Sequence, residues 1–139
     1  LPILPSIRAP FTITARPAEE VEASALPAVG RTTFDKVFAS GALEGTSVVH
    51  FVSTAAEAGP LAYVALERVE GTLDGRTGAF VLQHVGAIVD GVPSLALSVV
   101  AGSGTGDLVG LSGDLVGLSG TGTIEHTEAG AHLDLDYDV

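Results

Sequence analysis

The 139-residue chain fits one domain and is long enough to bury a core. Six Lys and Arg against 17 Asp and Glu give a net charge of -11, which argues against nucleic acid and anionic membrane surfaces as partners, because phosphate binding needs clustered cations. With no cysteine there is no disulfide and no thiolate metal site, and no apolar run approaches the ~18 residues of a membrane helix.

The composition is nevertheless apolar: 46% of residues are hydrophobic and 17% are charged, against a usual ~25% charged. The surplus implies an interior cavity, an oligomer interface, or both, and a homo-oligomer, most simply a dimer, is expected. The start Leu1-Pro2-Ile3-Leu4-Pro5 is too short and too proline-rich for a signal h-region, so a cytoplasmic location is the expectation.

Along the chain, residues 11–16 (F-T-I-T-A-R) alternate apolar and polar with the period of a half-buried strand. Residues 17–30 break the pattern with prolines, alanines and three glutamates, and leave room for one helical turn. Residues 32–40 and 46–54 read as two strands around Gly41-Ala42-Leu43-Glu44-Gly45. Residues 61–70 and 77–88 form a longer pair joined through Asp74-Gly75, a favoured two-residue hairpin turn, and Asp90-Gly91 leads in the same way into residues 94–101. Residues 122–127 and 131–139 make a last pair. About eight antiparallel strands in hairpin order, with no 3.6-residue period, imply an all-β fold, either an up-and-down barrel or a meander sandwich; a single barrel over residues 1–139 is favoured because closure removes exposed edges.

Residues 102–122 form a glycine block in which Gly106-Asp107-Leu108-Val109-Gly110-Leu111-Ser112 recurs unchanged as residues 113–119. Its glycines alternate with Leu and Val, so a strand bend or long loop that narrows one barrel mouth is expected. A phosphate loop would need a lysine or a following helix, and Asp107 and Asp114 would repel phosphate. Calcium-binding glycine–aspartate repeats run nine residues in many copies, and two Asp supply too few ligands.

The four histidines, His50, His84, His126 and His132, show no metal-ligand spacing, and no metal or cofactor is expected. On the last strand His132, Asp134, Asp136 and Asp138 share one face, which should meet solvent, so Tyr137 turns inward with Leu133 and Leu135. Tyr63 and Glu67 share a face of their strand, and Gln83 is assigned to the matching face of the hairpin partner. A carboxyl group in an apolar lumen must be hydrogen-bonded or functional, and can act as an acid or base. Glu67 and Tyr137 are therefore the candidate catalytic residues. Tyr63 and Gln83 are candidate ligand contacts, joined by His50 and His84 from the rim. The competing assignment is an Arg68–Glu70 surface pair with a structural Glu67–Gln83 bond.

Two stretches carry a family resemblance. Residues 66–84, L-E-R-V-E-G-T-L-D-G-R-T-G-A-F-V-L-Q-H, resemble the central hairpin of the DUF3224 proteins, a bacterial family of unknown function. Residues 102–111, G-S-G-T-G-D-L-V-G-L, resemble its glycine signature, and Leu135-Asp136-Tyr137-Asp138 its closing strand; the second seven-residue copy departs from the single copy typical of the family. The resemblance implies a barrel of the allene oxide cyclase and dirigent type. It implies a cofactor-free cyclase or isomerase that takes a hydrophobic small molecule into its lumen. A non-catalytic, lipocalin-like binding protein is the alternative.

Overall fold

The computed structural model describes residues 6–17, 27–56, 59–109, 119–127 and 130–138. Eight antiparallel strands run in chain order around a closed barrel: β1 (Ser6–Ala15), β2 (Ala28–Ser40), β3 (Leu43–Ala56), β4 (Gly59–Leu73), β5 (Arg76–Val89), β6 (Val92–Val99), β7 (Ser119–Thr127) and β8 (Gly130–Asp138). Each strand pairs with its sequence neighbour, and β1 closes on β8 with Ile7 opposite Leu135. The all-β barrel expected from the alternating pattern is the fold observed. Most strands reach a few residues further than the pattern suggests. The helical turn expected within residues 17–30 falls largely on residues outside those described.

The Asp-Gly turns set the register. Asp74 and Gly75 both take positive φ (46° and 80°), as do Asp90 and Gly91 (51° and 76°), the geometry that matches a hairpin's twist. A two-residue turn at 74–75 puts Leu73 opposite Arg76, hence Glu67 opposite Leu82 and Ala65 opposite His84. Directly opposed residues share a face. Glu67, Leu82 and His84 therefore all point into the barrel, while Leu66 and Gln83, also opposed, point out.

The interior is not uniform. At the end of the β2–β3 and β4–β5 turns, Phe38, Leu43, Leu73, Phe80, Leu135 and Tyr137 are all 2% exposed or less and fill the lumen. The glycine block seals this end. After β6 the chain runs along β5, where the Thr105 amide donates to the Ala79 carbonyl (2.8 Å) and the Asp107 carboxylate accepts from the Thr77 amide (3.1 Å). Gly78 faces the Thr105 carbonyl so closely that a Cβ has no room. A short 3₁₀ turn, Gly106–Leu108, then drives Leu108 into the core, fully buried. The described part of the block thus closes the filled end of the barrel. Residues 110–118, with most of the second copy, lie outside the described set. No helix among the described residues is long and apolar enough to cross a membrane.

Candidate functional site

Among the described residues, the opposite end of the barrel is open. A cavity of about 420 Å³ enters there, walled by aromatic and aliphatic side chains of β1 to β6: Phe11 and Ile13, Phe34, Val49 and Phe51, Tyr63 and Ala65, and Leu95. Its polar lining is Lys36 and His84, with the Tyr63 ring above. The Tyr63 ring stacks on Phe51 (centroids 4.7 Å apart) and lies over Gly86, where any side chain would collide with it. Burial pushes the Tyr63 phenol up, so it stays neutral.

Beneath this floor lies Glu67, fully buried. One carboxylate oxygen accepts from Lys36 Nζ (3.1 Å) and contacts His84 Nε2 (2.8 Å); the other accepts from Ser47 Oγ (2.5 Å). Lys36, Ser47 and His84 are themselves 3–4% exposed. The Lys36 ammonium also sits 4.3 Å from the centroid of the Phe11 ring. Burial raises the Glu67 pKa; the His84 hydrogen bond, the Lys36 charge and the Ser47 hydroxyl more than offset it, leaving the group below its ordinary value. Glu67 is therefore an anion held in place by three donors.

Lys36 is the chain's one lysine, and sequence reasoning missed it. The signal was present: Phe34, Lys36 and Phe38 share a face of β2, so a single cation stands between two aromatics on an inward row. Its partner Glu67 is 31 residues away, beyond the reach of any local pattern.

The other expected residues divide. Tyr63 lines the cavity and Glu67 faces inward, as expected. Glu67 is fully buried and is not among the residues that line the cavity, and its lowered pKa keeps it an anion. His84 lies inside, on the floor, rather than at the rim. Gln83 is exposed on the outer face, because the Asp74-Gly75 register pairs it with Leu66. His50 is exposed on the outside of β3, opposite Leu66 and Thr33, and lines two external clefts of about 690 and 510 Å³ in which no buried ionisable group lies. Tyr137 points inward as expected, but into the filled half. Its hydroxyl donates to the Asp74 carboxylate, and burial together with that bond pushes its pKa up to about 12. The Arg68–Glu70 surface pair is present at 2.9 Å. No metal-binding group of three or more His, Asp or Glu occurs among the described residues.

The DUF3224 family model, described as a protein of unknown function, matches residues 7–137. The chain belongs to the DUF3224 family. A crystal structure of a DUF3224 protein of unknown function from Shewanella oneidensis MR-1 is similar at 31% identity and a TM-score of 0.79, covering 97% of this chain and 96% of that one. No curated protein matches. Neither the family's description nor the similar structure's names an activity.

Proposed function

We propose that this DUF3224 protein binds a hydrophobic small molecule in the open half of its barrel, with the ligand's polar atom against Lys36 and His84. One observation carries the reading. A buried ion pair is costly to assemble and seldom more stabilising than apolar side chains of the same volume. Here it stands at the bottom of an apolar cavity whose volume falls within the usual ~300–1,000 Å³ of small-molecule sites. The walls supply apolar contact, and the ammonium supplies orientation.

Native mass spectrometry and fluorescence titration with decanoate and decanol test this. One decanoate per chain is expected, bound more tightly than decanol, and Lys36→Met should weaken decanoate about tenfold or more while sparing decanol. Failure of both to bind, or binding that survives filling the cavity with Ala65→Phe, overturns the reading.

The second reading, a cofactor-free cyclase or isomerase, is favoured by one feature: ionisable groups, rather than a neutral hydrogen-bond donor, form the floor. On the outside the partner is a second copy of this chain. Cross-strand rows of Val52, Val64 and Val85 beside Leu66, with Val64 and Leu66 each 53% exposed, carry no charge. In a chain of net charge -11, two copies meet with least repulsion there.

A further inference from the structure

We infer that His84 is a general base and that the ligand class is an apolar ketone with an acidic C–H beside its carbonyl, a reading that rests on the cavity being a ligand site. His84 Nε2 faces the Glu67 carboxylate at 2.8 Å, and Glu67 is ionised. An anion there accepts a hydrogen bond from Nε2–H, so a neutral ring carries its lone pair on Nδ1. Nδ1 has no hydrogen-bond partner among the described residues, and His84 lines the cavity. The carboxylate behind the ring fixes the tautomer and stabilises the positive charge that a proton on Nδ1 would create.

Lys36 completes the arrangement. Its ammonium shares the Glu67 oxygen with His84 and also lines the cavity. A carbonyl oxygen placed at Lys36 sets its α-carbon towards the neighbouring imidazole. The step is then balanced without any cofactor. Nδ1 takes the α-proton, the C–H electron pair forms the C=C of an enolate, and the carbonyl π pair moves onto oxygen beside the ammonium. The proton on Nδ1 exchanges with water at the cavity mouth, and delivery of a proton to the other face of the α-carbon after the enolate turns, or to the γ-carbon of an unsaturated ketone, gives an isomer, with nothing oxidised or reduced. His84 and Lys36 are the catalytic residues. Glu67, fully buried, acts through both and is a positioning residue.

The probes are menthone, cyclooctanone and benzylacetone in deuterated buffer, with α-hydrogen exchange followed by NMR and binding by native mass spectrometry. Exchange faster than buffer is expected, accompanied by epimerisation of menthone. His84→Gln should slow exchange ~10²-fold or more with the dissociation constant little changed. Glu67→Gln should lower kcat far more than it raises KM, with Glu67→Asp restoring part of the rate, an effect a merely structural carboxylate would not show. A bound ketone that exchanges no faster than in buffer, or exchange that survives His84→Gln, overturns the inference and leaves the binding reading standing. If decanoate, decanol and all three ketones fail to bind, both readings fall.

Discussion

The two halves of the barrel interior are built from the same strands and are opposites. In the sealed half, Phe38, Phe80, Leu82 and Leu135 meet with almost no exposure, and Leu108 closes the end. In the open half, the same strands present Phe34, Phe51 and Tyr63 around empty space. The boundary is the Lys36–Glu67–His84 group. The charges are therefore not needed to complete a core, since the sealed half is complete without them. They lie where the apolar filling stops.

The largest effect should come from breaking the boundary. Lys36→Met leaves the Glu67 carboxylate buried without its cation and should cost about 3–5 kcal/mol in denaturant unfolding. Lys36→Met with Glu67→Leu should recover that loss, or exceed the original stability, while abolishing the preference for decanoate. Recovery of stability with the ligand preference intact would falsify the assignment of these charges to binding.

Next comes a matched pair of truncations. Leu135→Ala, in the sealed half, should cost about 2–5 kcal/mol. Phe34→Ala, on a half-buried ring at the mouth, should cost less because the site already meets solvent. Equal costs would mean that the open half is packed as tightly as the sealed one.

The two halves should also fail at opposite ends of the pH scale. Glu67 has a lowered pKa in the folded state, so its stabilisation is present above the ordinary carboxylate value of 4.5 and is lost as pH falls through the folded one. Tyr137 has its pKa raised from 10.0 to about 12, so its contribution is full below pH 10 and disappears as pH rises towards 12. Thermal melts across pH should show Glu67→Gln flattening the acid limb and Tyr137→Phe flattening the alkaline one. If each substitution altered the other limb, the assignment of halves would be wrong.

The smallest effect is on the outside. Light scattering should give a dimer, and Leu66→Glu a monomer with the same melting behaviour within about 0.5 kcal/mol, as for other surface changes. A monomer before substitution removes the outer face from consideration.

Much of this was legible in the sequence. Period-2 alternation and two Asp-Gly turns are enough for a barrel, because each turn both ends a strand and fixes its neighbour's register. Leu133, Leu135 and Tyr137 point inward because the acids between them must not. Gln83 was also decidable: counting outward from the 74–75 turn pairs Glu67 with Leu82 and turns Gln83 away. Facing assigned strand by strand, without that count, exchanges Gln83 and His84. The partners of Glu67 and Tyr137 were not decidable. Lys36 and Asp74 lie 31 and 63 residues from them and meet them only through barrel closure and strand stagger. The state of Glu67 follows from those partners: a carboxyl that reads from its own strand as an acid or base has three donors around it and a lowered pKa.

Keeping its one lysine inside leaves the barrel with an exterior whose side-chain cations, among the described residues, are guanidinium groups. Amine-directed cross-linkers and biotin esters therefore find no lysine on the outer strands, and two copies resting on their β3–β5 faces would leave no lysine–lysine link. A small acylating reagent can reach Lys36 only through the mouth of the lumen. On this molecule, then, lysine acylation measures the inside: its rate reports how open the cavity is, and protection from it reports that the cavity is occupied.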